Sequence, residues 1–237
     1  MTEGIHSLLS FSPESESSLN QHPYMKTLYL KQMELGPMQN FVYLVGCPVK
    51  REAAVVDPGW DSGRILEEAK GDGMKITSIF VSHAHFDHVN VLHELLAETD
   101  AKVYLQKDEV PFLKVPKTNL KPTSSGDKIR VGEVEIEFIH TPGHTPGSQC
   151  FHVGDKLISG DTLFINACGR TDLPGGDAEK MYLSLTQRLS RLPDETILYP
   201  GHNYADRPTS TLKDEKENNP FLLCQSLEAF LMMVRGF

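Results

Sequence analysis

Long apolar runs are missing from this chain. No stretch of its 237 residues approaches the ~20 consecutive apolar positions that cross a bilayer, so no membrane span is expected. Cysteine is sparse. Cys47, Cys150, Cys168 and Cys224 include no CxxC pair and no dense framework, which argues against a disulfide scaffold and for a reducing compartment. Positive charge is short: 23 Lys and Arg stand against 32 Asp and Glu, a net charge of −9. A nucleic-acid binder or a protein docking on anionic lipid would show a basic face, so neither partner is expected. The N-terminal residues MTEGIHSLLSFSPESESSLNQHPYM contain no basic stretch followed by an apolar core of signal-peptide length, and no arginine. A cytoplasmic protein is the expectation. Nor is there a Gly-rich phosphate loop.

What is present suits one α/β domain with a sizeable core: 39% hydrophobic and 23% charged residues. Residues 1–24, rich in Ser, Glu, Asn and Pro, read as a flexible arm, and 25–237 as the domain, closing on a short C-terminal helix. Strands are expected in KTLYLKQM, NFVYLVG, EAAVVD, ITSIFVS, AKVYLQ, KIRVGEVEIEFI, SQCFHVG, KLISGD and ETILYPG. Helices are expected over about 63–70, in HVNVLHELLAE, over 177–191 with Asp177 as N-cap, and in NPFLLCQSLEAFLMMV, while 114–128 reads as turns. That order is not a simple alternation. It fits two β-rich halves packed face to face with helices outside.

The chemistry concentrates at strand ends. His83-Ala84-His85-Phe86-Asp87-His88 follows directly on a buried strand. Leaving such a strand, the first and third side chains of the loop can converge on one ion, and the fifth and sixth on a second. Imidazole and carboxylate together suit zinc, iron or manganese better than calcium. Three further strand ends each present a ligand-type residue: His144 in HTPGHTPGS, Asp161 in SGDTLF and His202 in YPGH. The prolines and glycines around His144 force tight turns.

The succession HxHxDH, PGHTPGS, GDTLF and PGH resembles the metallo-β-lactamase superfamily, from about Lys26 to Leu222. Within it, CGRTD (Cys168 to Asp172), LYPGHNY and ENNPFL are similar to the glyoxalase II and persulfide dioxygenase branch. The resemblance implies an αββα sandwich. It implies one metal at His83, His85 and His144, a second at Asp87, His88 and His202, and Asp161 bridging them, with Asp87 and Asp161 as the catalytic carboxylates. It further implies that Arg170 and Tyr204 contact a small thiol-linked substrate such as a glutathione conjugate.

Two activities stay open. One is a glyoxalase II-type hydrolase that cleaves a small thioester with two divalent ions, zinc or else iron or manganese. The other is a persulfide dioxygenase with a single Fe(II) at His83, His144 and Asp161. Oligomeric state is also open, a homodimer included. Arg170 has an alternative as one half of a salt bridge, and Tyr204 as a packing residue. Asp57 reads as a turn residue supporting the ligands, and His140 has a weaker claim to that role. His6, His22, His93 and His152 read as surface or core histidines, and Cys168 as an inert buried thiol. Only about 15 residues follow Asn219-Pro220, with Lys213 and Lys216 the nearby cations before it, fewer basic residues than full-length glyoxalase II proteins carry.

Overall fold

The structure, a computed structural model, describes Met1 and residues 28–235. Apart from Met1, the expected N-terminal arm lies outside the described residues, as do His6 and His22. In chain order the strands are β1 (Tyr29–Leu35), β2 (Asn40–Cys47), β3 (Glu52–Val56), β4 (Lys75–Val81), β5 (Lys102–Gln106), β6 (Leu120–Thr123), β7 (Lys128–Val131), β8 (Val134–His140), β9 (Gln149–Val153), β10 (Lys156–Gly160), β11 (Leu163–Phe164), β12 (Ala167–Cys168), β13 (Ile197–Pro200) and β14 (Ser210–Thr211). The helices are α1 (Ser62–Gly71), α2 (Phe86–Val89), α3 (Leu92–Glu98), α4 (Ala178–Leu183), α5 (Leu212–Asn218) and α6 (Leu227–Arg235). Strands β1 to β6 form one sheet in sequence order, and a second runs β14-β13-β10-β9-β8-β7. The β11–β12 hairpin stands apart.

Strand β2 shows why the layers form. All eight of its residues are buried, and they alternate between two environments. Phe41, Tyr43 and Val45 face the layer between the sheets, where they meet Phe80, Phe138 and Phe151. Val42 and Leu44 face the other way, onto Ile65 and Ala69 of α1 and Leu92 and Leu95 of α3. On the far side of the second sheet, Leu157 and Leu198 pack under Met181 of α4 and Phe230 of α6. The chain is therefore an αββα sandwich. Sheets covered on both faces explain the unbroken apolar runs of β2 and β4. Phe80 sits at the centre, 4.9 Å from the Phe138 ring and 5.5 Å from Phe151. Truncating it to Ala would cost about 3–5 kcal/mol.

Several elements differ from expectation. Strand β6 lies in the turn-rich segment. It is an edge strand, where Pro122 is tolerated. Helix α5 was not expected, since LKDEKEN is almost wholly polar. It is capped by Thr211 through the Asp214 amide. The terminal helix starts at Leu227 rather than Asn219, because the Asn219 side chain accepts from the Phe221 amide and holds a turn there. Asp177 does cap α4, but the helix widens into a π turn at Ser184–Arg188 before a last 3₁₀ turn. The helix expected after His88 is two pieces, α2 and α3. Between them the Asn90 side chain accepts from the Trp60 amide at 2.6 Å. No helix among the described residues is long and apolar enough to cross a membrane.

The topology gathers the strand ends. Strands β3 and β4 are parallel, as are β10 and β13. Strand β8 is two antiparallel steps from β10, so it points the same way. The C-terminal ends of these five strands deliver Asp57, His83, His144, Asp161 and His202 to one edge of the sandwich, where open α/β sheets characteristically bind ligands.

Candidate metal centre

The structure brings all seven residues expected as metal ligands together in two adjoining groups. In the first, the ring nitrogens of His83, His85 and His144 lie within 4.8 Å of one another. His85 Nδ1 and His144 Nε2 approach to 2.9 Å. In the second, Asp87, His88 and His202 meet the same limit. There His88 Nε2 lies 3.2 Å from His202 Nε2 and 3.3 Å from Asp87 Oδ2. Asp161 stands between the groups: Oδ2 is 3.6 Å from His144 Nε2 and 3.4 Å from His202 Nε2, while Oδ1 is 3.4 Å from His88 Nε2.

Glycine makes room for this carboxylate. Gly160 adopts φ +50°, and a Cβ there would fall 2.5 Å from the Ser82 side chain. A Cβ on Gly201 would sit 2.3 Å from Asp161 Oδ1. Both sites exclude any larger residue, which accounts for the GD and PGH pairs.

The surroundings set each tautomer. Ser82 Oγ donates its single proton to Asp57 Oδ2 at 2.6 Å, so it accepts from His83 Nδ1 at 2.9 Å. That leaves the lone pair of His83 on Nε2. His88 Nδ1 donates to Asp57 Oδ2 at 3.1 Å, His144 Nδ1 to the Arg170 carbonyl at 2.8 Å, and His202 Nδ1 to the Met38 carbonyl at 2.8 Å. All four rings turn Nε2 inward, and His85 turns Nδ1. An acceptor behind each ring is the arrangement that orients metal-ligating imidazoles. Asp57, His83 and His88 also cluster. However, the Asp57 oxygens are already taken by the Ser82 amide and hydroxyl and by His88. Asp57 is a support, as its turn position suggested.

Two observations fit a cation at this centre. His83 Nε2 and Asp161 Oδ1 are buried with no hydrogen-bond partner. Such orphaned atoms are costly unless something absent from the protein itself satisfies them. The electrostatics agree. Burial, followed by the nearby His88 imidazole, pushes His83 well below the usual histidine range, and burial and His144 lower His85. Burial presses His88 and His202 the same way, but Asp161, joined by Asp57 at His88 and by the Met38 carbonyl at His202, raises both. Asp161 in turn is held well below the usual carboxylate range despite burial, chiefly by His88 and His202. Carboxylates enclosed by imidazoles demand positive charge, and mixed N/O donors suit a divalent transition metal.

Some supporting residues gave no sequence signal. Glu109 is 2% exposed, and its carboxylate accepts from the Ala84 amide at 2.8 Å, the Gly147 amide at 2.8 Å and the Thr145 hydroxyl at 3.0 Å. It ties the His83–His85 loop to the His144 loop. Asn40 donates to Asp87 Oδ2 at 2.8 Å and accepts from Trp60 Nε1 at 2.7 Å. Asn219, of ENNP, donates to the carbonyls of Phe164 and Ala167 and so clamps the β11–β12 hairpin, together with buried Glu215. Asn219 lies in ENNPFL. The rest connect segments far apart in the chain.

The weaker candidates divide. Tyr204 is exposed and stacks flat on His202, with ring centroids 4.6 Å apart at 12°. Arg170 lies beside the site, but its guanidinium forms a two-point pair with Asp172, and it is the carbonyl that holds His144. Next to it, a cleft of about 360 Å³ opens between residues 166–172 and Pro220, Phe221 and Val234. His140 donates to the Pro146 carbonyl and braces the His144 loop. His93 is exposed and His152 half-buried. Cys168 is half-buried rather than buried, and desolvation pushes its thiol up to about 12. Lys216 is engaged by Asp194 and the Leu192 carbonyl.

Comparison with known proteins gives one consistent family. The model of the Metallo-beta-lactamase superfamily matches residues 35–202. A hydroxyacylglutathione hydrolase from Polaromonas sp. is 33% identical, over 84% of this chain and 87% of the relative. The crystal structure of ETHE1 from Myxococcus xanthus superposes with a TM-score of 0.80 at 32% identity, covering 87% of this chain and 90% of that one. A crystal structure of TTHA1623 in a di-iron-bound form gives a TM-score of 0.71 at 32% identity, over 81% of this chain and 100% of that one.

Proposed function

Because the chain belongs to the Metallo-beta-lactamase superfamily, we propose that it is a metal-dependent hydrolase of glyoxalase II type, cleaving a small thioester. The observation that carries this reading is the second group, Asp87, His88 and His202, which is buried and backed by its own hydrogen-bond acceptors. With it, ligands for two ions are retained, which favours the hydrolase. His83, His85 and His144 would hold one divalent ion, Asp87, His88 and His202 the other, and Asp161 would join them. Bound there, zinc, or else iron or manganese, would supply an acidified water and a Lewis-acid contact for the thioester carbonyl.

The chain's own residues do the rest. Asp87, aligned by Asn40, orients the attacking water and accepts its proton. Arg170 and Tyr204 flank the thiol side, and the relatives make a glutathione-like thiol the first candidate. Thiols ionise near ~8.5, so the departing thiolate needs no side chain to protonate it.

A second reading has its own support. His83 Nε2 and Asp161 Oδ1, the orphaned atoms at the centre, belong to the set that a single Fe(II) would use with His144 in a persulfide dioxygenase. Metal analysis of protein purified without added metal, paired with assays on S-lactoylglutathione and glutathione persulfide, separates the two. About two ions per chain with thioester cleavage is expected. About one iron, with oxygen uptake that matches persulfide consumption and no thioester cleavage, would overturn the hydrolase.

A further inference from the structure

Three large apolar side chains stand in the open beside the Asp87–His88–His202 group. Phe86 is 71% exposed and Met38 46%, and Trp60, the chain's one tryptophan, is partly exposed. Isolated apolar residues on a surface need no explanation. These three differ because each is fastened to the centre. Phe86 lies between His85 and Asp87 in α2. The Met38 carbonyl accepts from His202. Trp60 donates through Nε1 to Asn40, which donates to Asp87.

The two aromatic rings are also pre-set. Trp60 meets Phe86 edge to face at 6.1 Å. Its amide is held by Asn90, and Gly36 lies so close to the indole that a Cβ there would fall 2.2 Å from the ring. A fixed aromatic surface binds with little loss of conformational freedom. An apolar wall beside a few convergent polar groups is how small-molecule sites are built. Two carboxylates flank the wall: Asp61 follows Trp60, and Glu34 on β1 accepts from Asn203 next to His202.

We propose that Met38, Trp60 and Phe86 form the acyl-side subsite of the centre and select an uncharged, apolar acyl chain. This rests on the hydrolase reading, with Arg170 and Tyr204 on the thiol side. It goes further in naming the class of acyl group that this wall favours: alkyl or aryl rather than carboxylated. Asp61 and Glu34 on the flank disfavour an anionic acyl group.

Binding and turnover can be read separately. Inert S-alkyl thioethers of N-acetylcysteamine, with chains of two to eight carbons, are titrated against the metal-loaded enzyme while Trp60 emission is followed. The matching acyl thioesters are then assayed for hydrolysis. We expect a blue shift of the emission and about twofold tighter binding per added methylene, as for a chain half withdrawn from water. The kcat/KM values should rise in parallel. Phe86→Ala should flatten both slopes, Phe86→Leu should restore most of them, and neither should change the metal content. Affinity independent of chain length, or a slope unchanged in Phe86→Ala, would overturn the subsite even if thioesters are cleaved. A chain-length-dependent Trp60 response without cleavage of any thioester would support the subsite and overturn the hydrolase.

Discussion

The group of His83, His85 and His144 and the group of Asp87, His88 and His202 draw equally on the HAHFDH loop, yet their environments are opposite. In the first, burial and neighbouring imidazoles drive His83 and His85 toward neutrality. In the second, Asp161, joined by Asp57 at His88, offsets burial and raises His88 and His202. Their supports differ too. Glu109 ties the two loops of the first, while Asp57 and Asn40 brace His88 and Asp87 in the second. One hexapeptide can therefore serve two groups of different charge character, because the partners that the fold brings to it decide that character.

The largest break in this comparison should come at Asp161, which touches both groups. Asp161→Ala is expected to lower activity on the order of a thousandfold or more and to reduce metal content, with the far-ultraviolet circular dichroism unchanged. Full activity in this variant would remove Asp161 from the site.

Asp57→Ala should act on the second group first. Asp57 is 3% exposed, and its loss strands the Ser82 amide, the Ser82 hydroxyl and His88 Nδ1. Each unmet buried donor costs about 1–3 kcal/mol, so partial relaxation still leaves a loss of about 2–5 kcal/mol in denaturant unfolding. Losing an acceptor behind a ligand also weakens metal binding about 10–100-fold. Competition titrations should find that loss in the weaker of two binding steps, with the other shifted less.

Glu109→Gln sharpens the contrast from the other side. It keeps the shape of the side chain but turns an amide N–H toward a donor among Ala84, Gly147 and Thr145. A stability loss of about 1–3 kcal/mol is expected, with about tenfold weaker binding in the first group. Equal weakening of both steps would reduce Glu109 to a general structural role.

How much of this was legible in the chain follows the same division. The ligand residues stand at strand ends in compact motifs, so residue type and spacing were enough to find them. Strands β2 and β4 were readable because both faces are buried. Glu109 was not, because QKDEVPF reads as an ordinary polar turn, and only the packing of α/β connections puts its carboxylate under two amides. Asn40 opens a strand and gives no hint of Asp87, 47 residues on. Helix α5 was missed since its burial rests on Leu212 and Glu215, a charged residue held by Asn166 and Asn219 rather than an apolar stripe. Supports recruited across the sheets have no local period to betray them.

The smallest expected effects concern Arg170, where backbone and side chain do different work. Its carbonyl holds His144, so Arg170→Ala preserves the first group. The guanidinium is exposed and paired with Asp172, so losing it should leave the melting temperature and the metal content unchanged. If it greets the carboxylate of a glutathione thioester, KM should rise about tenfold, the worth of one charge-assisted hydrogen bond, with kcat within about twofold. Asp172→Ala frees the same guanidinium and should lower KM by about twofold. For a thioester of an uncharged thiol both variants should match the parent. A KM change that is the same for charged and uncharged thiols would place Arg170 outside the thiol side and leave it as a surface ion pair whose only tie to the centre is its carbonyl.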